Sequence, residues 1–129
     1  MSAYLDSSAA VKLVVREAES DALGAWIRQR SRLVSSALLR TELIRAVRRG
    51  EPAAMDQVRA TIARFNLHGL DPEILDLAGR LDPTSLRSLD AIHLATALRL
   101  TDDLEAIVTY DHRMIDGARQ LGLPVASPV

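Results

Sequence analysis

Residues 106–111 read Ala106-Ile107-Val108-Thr109-Tyr110-Asp111, an apolar run that ends on an acidic residue. Such a run is typical of a buried strand. The segment Ala3-Tyr4-Leu5-Asp6, near the start of the chain, repeats the pattern. Ligands of open parallel sheets bind outside the carboxyl ends of the strands. We therefore expect Asp6 and Asp111, each at the last position of its strand, to face one crevice; the alternative is that each only caps the helix that follows.

The rest of the sequence alternates short strands with helices. Further strands are predicted at residues 33–35, 66–70 and 123–125, and helices at residues 7–15, 19–27, 37–49, 52–65, 88–100 and 112–121. One more helix begins at Asp71-Pro72, with Asp as its cap and Pro at its first position. This alternation implies a parallel sheet covered on both faces. The predicted fold is an α/β three-layer sandwich with a mostly parallel central sheet of four to five short strands flanked by helices, in a single domain over residues 1–129.

Composition excludes several classes of protein. The 129 residues are 48% hydrophobic and 26% charged, which is ordinary for a soluble globular protein. The absence of cysteine excludes disulfides and thiolate metal sites. The chain has neither an apolar run of about 20 residues, as a membrane span needs, nor a signal-peptide pattern, so we expect a cytoplasmic protein without membrane association. The net charge of −1 argues against a protein that coats DNA nonspecifically.

Two more acidic residues, Glu42 and Asp90, interrupt the apolar faces of predicted helices. Glu42 projects between Leu38 and Ala46, whereas the arginines of its helix lie on the remaining arc. It therefore points toward the core or toward a cleft at its edge, unless it forms an ion pair with a neighbouring arginine, Arg45 or Arg49, at the boundary.

Asp90 lies in the first turn of a helix that is apolar almost all round, the pattern of a buried helix. The helix dipole, which favours an acid in the first turn, is an alternative explanation. His93, one turn on, is either a ligand or a core histidine that holds a hydrogen bond. Burying a carboxylate costs several kcal/mol unless the charge is neutralised or compensated. Four such acids suggest a shared partner, and a divalent cation is the simplest candidate.

Four segments that contain these acids occur in a characteristic order and spacing. They are Tyr4-Leu5-Asp6-Ser7-Ser8-Ala9, Leu39-Arg40-Thr41-Glu42-Leu43, Leu86-Arg87-Ser88-Leu89-Asp90-Ala91-Ile92-His93-Leu94-Ala95 and Val108-Thr109-Tyr110-Asp111. Together they resemble a PIN-domain ribonuclease, specifically the VapC-type toxin of a type II toxin–antitoxin system, over essentially the whole chain. The resemblance implies that Asp6, Glu42, Asp90 and Asp111 form an acidic catalytic site that holds Mg²⁺ or Mn²⁺.

The same resemblance implies three further residues near the metal or the substrate. Ser7 stands where the family often has Thr, and it keeps the hydroxyl. Arg87 precedes the third acid, as in similar toxins, and is expected to contact a phosphate or the antitoxin. Thr109 belongs to the last of the four segments.

The expected function is that of a metal-dependent endoribonuclease acting as the toxin of a toxin–antitoxin pair. It would hydrolyse RNA phosphodiester bonds with water activated at the acidic site. By the resemblance, its partners are RNA, a small cognate antitoxin and a second copy of the chain in a homodimer. The first helices also carry more apolar residues than one sheet face needs, which indicates a partner surface. These residues are Val11, Val14, Val15, Leu23 and Trp26.

Four arginines of the third helix, Arg40, Arg45, Arg48 and Arg49, either track an RNA backbone or form a solvated helix face.

Rival functions differ in the residues that they require. A phosphoacceptor receiver domain needs a paired acid in its first loop and a lysine after a late strand, but Asp6 is followed by Ser7-Ser8 and the single lysine is Lys12. A haloacid-type phosphatase needs an aspartate where this chain has Ser8. Two alternatives stay open: a PIN-like scaffold that acts mainly by binding its partner, with little catalysis, and a metal-dependent DNase.

Overall fold

The computed structural model describes residues 1–30 and 32–129. Five short strands form a central sheet: β1 (Ser2–Leu5), β2 (Arg32–Ser36), β3 (Phe65–His68), β4 (Leu104–Val108) and β5 (Val125–Ala126). The α-helices around it are α1 (Ser7–Ala10), α2 (Ser20–Arg28), α3 (Leu38–Gly50), α4 (Val58–Ile62), α5 (Pro72–Arg80), α6 (Ser88–Arg99) and α7 (His112–Gln120). Short 3₁₀ helices occur at Val11–Leu13, Pro52–Gln57 and Thr101–Asp103.

The sheet is entirely parallel, with the strand order β3-β2-β1-β4-β5. β1 is central, since Ala3 pairs with Leu33 of β2 and with Ala106 of β4. All four residues of β1 are buried, as expected for a strand of a parallel sheet with helices on both faces. The predicted α/β sandwich is confirmed. The carboxyl ends of β1 and β4 meet at one edge of this sheet, which we call the carboxyl edge.

Alternate residues of β1 face different helix layers, because the side-chain period of a strand is two. Ala3 and Leu5 share a core with residues of α1, α2, α3 and α4. Tyr4 belongs to a second core that includes residues of α6 and α7. α5 packs against α6 through Ile74 and Ala78. The sheet therefore has α3 on one face and α6 on the other.

Several predicted elements are shorter than expected. The helix predicted over residues 7–15 is α1 followed by the 3₁₀ helix Val11–Leu13, and the strand predicted over residues 66–70 is β3, which ends at His68. The strand predicted through Asp111 ends at Val108, and beyond it the N–H groups of Tyr110 and Asp111 donate to the hydroxyls of Ser8 and Thr109 instead of to a neighbouring strand. The helix predicted over residues 52–65 is a 3₁₀ helix followed by the short α4. It cannot continue, since Phe65 is buried in β3 and pairs with Leu33.

The remaining ends agree more closely with the sequence prediction. Asp71 caps α5 by accepting a hydrogen bond from the N–H of Ile74 at 2.9 Å, as predicted. The last strand begins at Val125 and not at residue 123, because Leu123 is buried against the second core and Pro124 has no N–H to donate. Within the described ranges, no helix has the length and hydropathy needed to cross a membrane.

Candidate active site

Three of the four predicted acids gather at the carboxyl edge. Asp6 directly follows β1, and Asp111 follows β4 after a two-residue extension, so neither is the last residue of its strand as expected. Both nevertheless emerge at the same edge because β1 and β4 are parallel neighbours. Asp90 stands in the first turn of α6. Its pKa is raised by burial and then by repulsion from Asp111 and Asp6, so its carboxylate lies within electrostatic range of both.

Asp6 is held by hydrogen bonds on both carboxylate oxygens and is only 4% exposed. Oδ1 accepts from the hydroxyl of Ser8 (2.6 Å) and from the N–H of Ala9 (3.1 Å), so Asp6 caps α1. Oδ2 accepts from the hydroxyl of Thr109 (2.6 Å). Burial raises the pKa of Asp6 because it disfavours the charged form, and these hydrogen bonds oppose the rise.

Asp111 caps α7, since its Oδ1 accepts from the N–H of Arg113 at 2.8 Å. Its own N–H donates to the Thr109 hydroxyl at 3.1 Å. Thr109 therefore links two acids, because the same hydroxyl donates to Asp6. The capping considered as an alternative for both aspartates is present in the structure. It does not remove their negative charges from the carboxyl edge.

Asp90 keeps one buried oxygen without a partner: among the residues that the structure describes, none donates a hydrogen bond to its Oδ2. Electrostatic interactions with His93 and Arg87 lower the pKa of Asp90, but by less than burial and the neighbouring acids raise it. A buried carboxylate oxygen without a donor, beside two other acids, is a position that a bound cation would satisfy.

Glu42 comes from α3, in the other helix layer. Its Oε1 lies 2.6 Å from Nε2 of His93, and its side chain is 19% exposed. Among the described residues, Glu42 pairs with His93 and not with an arginine of its own helix. His93 is buried, and its Nδ1 lies 2.7 Å from the hydroxyl of Tyr4. Both ring nitrogens have protein partners. Of the two roles considered for His93, a metal ligand or a core histidine that holds a hydrogen bond, the structure therefore matches the second.

The hydroxyl that contacts Asp6 near the start of α1 is that of Ser8, which sequence reasoning missed. Ser8 also accepts a hydrogen bond from the N–H of Tyr110 at 3.0 Å. Ser7 begins α1, and within the described part of the chain its side chain makes no hydrogen bond to Asp6. This contact could have been predicted from the sequence, because a hydroxyl two residues after a helix N-cap can form a hydrogen bond with the side chain of the capping residue.

Arg87 is exposed and immediately precedes α6. Its charge lowers the pKa of Asp90, although less than burial and the neighbouring acids raise it. A cation therefore stands at the rim of the acidic cluster, where the sequence analysis expected a contact with a phosphate or with the antitoxin.

The donor set suits a hard divalent cation, because carboxylate oxygens are its preferred ligands and its charge would remove their repulsion. As the described side chains stand, no group of three or more His, Asp or Glu is ready to hold an ion. Hydrogen bonds with protein groups already engage at least one carboxylate oxygen of Asp6, Glu42 and Asp111. Oδ2 of Asp90 is the exception.

Known proteins resemble this chain in sequence. The profile of the PIN domain family matches residues 3–120. Ribonuclease VapC46 of Mycobacterium tuberculosis (strain ATCC 25618 / H37Rv) is 53% identical over 125 residues, which cover 97% of this chain and 96% of the relative. Ribonuclease VapC47 of Mycobacterium tuberculosis (strain CDC 1551 / Oshkosh) is 39% identical over 130 residues, with the same coverage.

Solved structures resemble it in fold. VapBC2 from Rickettsia felis, bound to a DNA fragment from its promoter, superposes with a TM-score of 0.73 at 13% identity and covers 100% of both chains. Mycobacterium tuberculosis VapC20, a toxin that cleaves the sarcin–ricin loop, gives a TM-score of 0.71 at 12% identity, over 88% of this chain and 93% of that one. The family profile and the near full-length relatives agree with the fold. The chain belongs to the PIN-domain family, among its VapC-type ribonucleases.

Proposed function

We propose that this protein is the toxin of a toxin–antitoxin pair and that its single domain is a metal-dependent endoribonuclease. Its near full-length relatives are named ribonucleases. The observation that carries the proposal is the buried, unpartnered Oδ2 of Asp90, within electrostatic range of Asp6 and Asp111. A cation bound at this oxygen would supply the positive charge that metal-assisted hydrolysis of a phosphodiester requires.

PIN-domain ribonucleases are generally dependent on divalent metals, and for this chain we propose Mg²⁺ or Mn²⁺. Asp6, Glu42, Asp90 and Asp111 would hold the ion as catalytic residues. When bound, the ion activates water and stabilises the leaving oxygen of the phosphodiester. The four carboxylates supply the negative charge that retains the ion. Hydrolysis by water leaves the 2′-hydroxyl of RNA unused, so the products should carry no 2′,3′-cyclic phosphate.

Three further residues have supporting roles in this proposal. Thr109 keeps the Asp6 carboxylate in place through its hydrogen bond to Oδ2. Arg87, exposed beside Asp90, contacts a phosphate of the substrate. Ser7 follows Asp6 in the sequence and begins α1, and its proposed role is a contact of its hydroxyl with the metal site or the substrate.

We also propose a small antitoxin and a second copy of the chain as partners, acting in the cytoplasm where the RNA lies. A protein of the same fold has been solved as a VapBC2 complex. Val11, Val14 and Val15 pack against the core but are only partly buried, and their remaining apolar surface supports the proposal of a partner at this place. Leu23 does not belong to this surface, because it is fully buried in the core.

The test is cleavage of structured and unstructured RNA, and of DNA of the same sequences, with Mg²⁺, with Mn²⁺ and with a chelator. The variants are Asp6→Asn, Glu42→Gln and Asp90→Asn. Asp102→Asn is the matched control, since this exposed acid lies just before β4, at the opposite edge of the sheet. We expect metal-dependent RNA cleavage that the three site variants lose by a factor of at least about 100 and that the control retains.

Each contrary result rejects a different part of the proposal. Cleavage that survives the chelator would exclude the metal, and full activity in Asp90→Asn would overturn the site. Preference for DNA would favour the DNase alternative. A wild-type protein that cleaves neither substrate but binds an antitoxin would support the scaffold alternative.

A further inference from the structure

Three buried or half-buried side chains form a continuous polar chain between the two helix layers. The Tyr4 hydroxyl lies 2.7 Å from Nδ1 of His93, and Nε2 of the same ring lies 2.6 Å from Oε1 of Glu42. Tyr4 and His93 belong to β1 and α6, whereas Glu42 belongs to α3. The chain therefore connects the interior of the sheet to one of the four proposed metal-binding acids.

We propose that His93, fixed by Tyr4, is a positioning residue that orients the Glu42 carboxylate for the metal ion. This inference rests on the proposed function, in which Glu42 is one of the acids that hold the ion. His93 acts through Glu42 and is not itself a ligand, since both of its ring nitrogens are already engaged by protein groups.

The surroundings of His93 keep the ring in one orientation. The residue is 2% exposed, so water does not compete for its nitrogens. The ring of Tyr4 packs against it edge to face, with centroids 5.8 Å apart and planes at 82°. A flip of the imidazole would break two hydrogen bonds in the interior. The ring is therefore a rigid support for the Glu42 side chain, which is 19% exposed.

Tyr4 also determines which way the hydrogen bonds run. A phenol hydroxyl can donate to an imidazole nitrogen that carries no proton. With Tyr4 as the donor to Nδ1, the proton of a neutral ring resides on Nε2, and this N–H donates to the carboxylate of Glu42. Without the phenol, the proton can reside on either nitrogen, and the donor to Glu42 is no longer assured.

Small residues make room for this contact. Ser35 and Ser36 end β2, beside β1, and both are fully buried. The Ser35 hydroxyl donates to the carbonyl of Leu5, and the Ser36 hydroxyl accepts from the N–H of Leu38, so both are satisfied locally. Both α6 and α3 pack on β2, so these serines belong to the strand between the helices that carry His93 and Glu42.

The test measures Mn²⁺ affinity directly, by electron paramagnetic resonance of the free ion, in the purified protein without RNA. The variants are His93→Leu, His93→Gln, Tyr4→Phe and Glu42→Gln. Leu cannot donate to Glu42, whereas the amide of Gln can. Leu104→Ala is the control for lost core packing, because Leu104 is buried at the start of β4, away from the carboxyl edge.

We expect His93→Leu to weaken Mn²⁺ binding about tenfold or more, as is typical when a group that orients a metal ligand is removed. His93→Gln should recover most of this loss, and Tyr4→Phe should have an intermediate effect. Leu104→Ala should lower the melting temperature without changing Mn²⁺ affinity. In the metal-free wild type, ¹⁵N NMR should show the ring proton of His93 on Nε2, and Tyr4→Phe should give a mixture of tautomers.

Unchanged Mn²⁺ affinity in folded His93→Gln, His93→Leu and Tyr4→Phe, with a loss in Glu42→Gln, would overturn this inference and leave the proposed site intact. A wild type that does not bind Mn²⁺, or a Glu42→Gln variant that binds it normally, would instead reject the role of Glu42 in the proposed function. If His93→Leu fails to fold, the comparison of Tyr4→Phe with His93→Gln decides.

Discussion

One carboxylate oxygen of Asp90, Oδ2, is buried in the first turn of α6, and the described residues offer no hydrogen-bond donor to it. Burial, and then repulsion from Asp111 and Asp6, raises its pKa in the folded protein. The ionised side chain therefore opposes folding of the metal-free protein. Conflict of this kind between stability and function is common at sites that bind charge.

Asp90→Asn should therefore stabilise the metal-free protein at neutral pH, by no more than about 1 kcal/mol, because solvent reaches part of the side chain and screens the repulsion. Since the folded-state pKa of Asp90 is raised, its destabilising effect is present above that pKa and disappears as the pH falls below the usual range of an aspartate. The advantage of the variant should shrink accordingly between pH 7 and pH 3. Urea unfolding in a chelator measures it, with the exposed Asp76→Asn as control. A variant less stable than wild type at pH 7 would show that the charge of Asp90 is not what mainly destabilises the metal-free protein.

Ser8 and Ser7 offer a matched test of which hydroxyl supports the site. Ser8→Ala removes the donor to Asp6 and the acceptor for the N–H of Tyr110, so we expect a loss of about 1–3 kcal/mol in the free energy of unfolding. Ser7→Ala removes no hydrogen bond to Asp6 and should remain within about 0.5 kcal/mol of wild type. Thermal unfolding of both variants measures the difference. Equal effects would contradict the assignment of Ser8 as the support of Asp6.

At the residue scale, the sequence identified the acidic residues of the proposed site but not the hydrogen bonds that fix their side chains. Glu42 and Asp90 could be selected because they interrupt apolar helix faces. The hydroxyl of Thr109 reaches Asp6 across 103 positions of sequence, and no local pattern specifies such a contact. The role of these residues in catalysis stays a prediction.

At the scale of elements, periodicity predicted α6 well because packing and sequence agree there. Its apolar character on nearly all sides matches a helix that packs against β2, α5 and α7. Periodicity alone failed for residues 52–65, where apolar residues suited to a helix also suit 3₁₀ turns. The buried position of Phe65 in β3 determined where the helix had to end.

The packing of α7 on α6 depends on a glycine, which a pair of variants can test. A Cβ at Gly117 would lie 3.0 Å from side-chain atoms of Leu86 and Leu94, whereas a Cβ at Gly24, within α2, would meet only Arg28 at 3.5 Å. Gly24→Ala should stabilise the protein by about 0.5–1 kcal/mol through helix propensity. Gly117→Ala should lose this gain, because two leucines must move. Thermal unfolding compares them, and an equal gain in both would show that the α6–α7 contact is loosely packed.

At the scale of the whole molecule, the parallel order of β1 and β4 brings Asp6 and Asp111 to the same edge of the sheet. Strand and helix alternation in the sequence was enough to predict this layout, since parallel neighbours place their carboxyl ends together. Sequence alone could not predict how far each acid lies beyond its strand, because that distance depends on the Thr109 contacts. The net charge of −1 likewise conceals a local concentration of arginines.

This concentration lies on α3, where Arg45, Arg48 and Arg49 line a shallow cleft of about 260 Å³ and form no ion pair within the described residues. Arg45 and Arg49 follow Glu42 by one and two helical turns, so RNA cleaved at the acidic site would pass them. Arg45→Ala with Arg49→Ala should weaken RNA binding and reduce the slope of log affinity against log salt by roughly 0.7 per removed charge. The measurement is fluorescence anisotropy with single-stranded RNA in a chelator, which prevents cleavage. Arg119→Ala, in the last turn of α7, is the control and should leave the slope unchanged. An unchanged slope in the double variant would mean that these arginines form a solvated face and that the RNA follows another path.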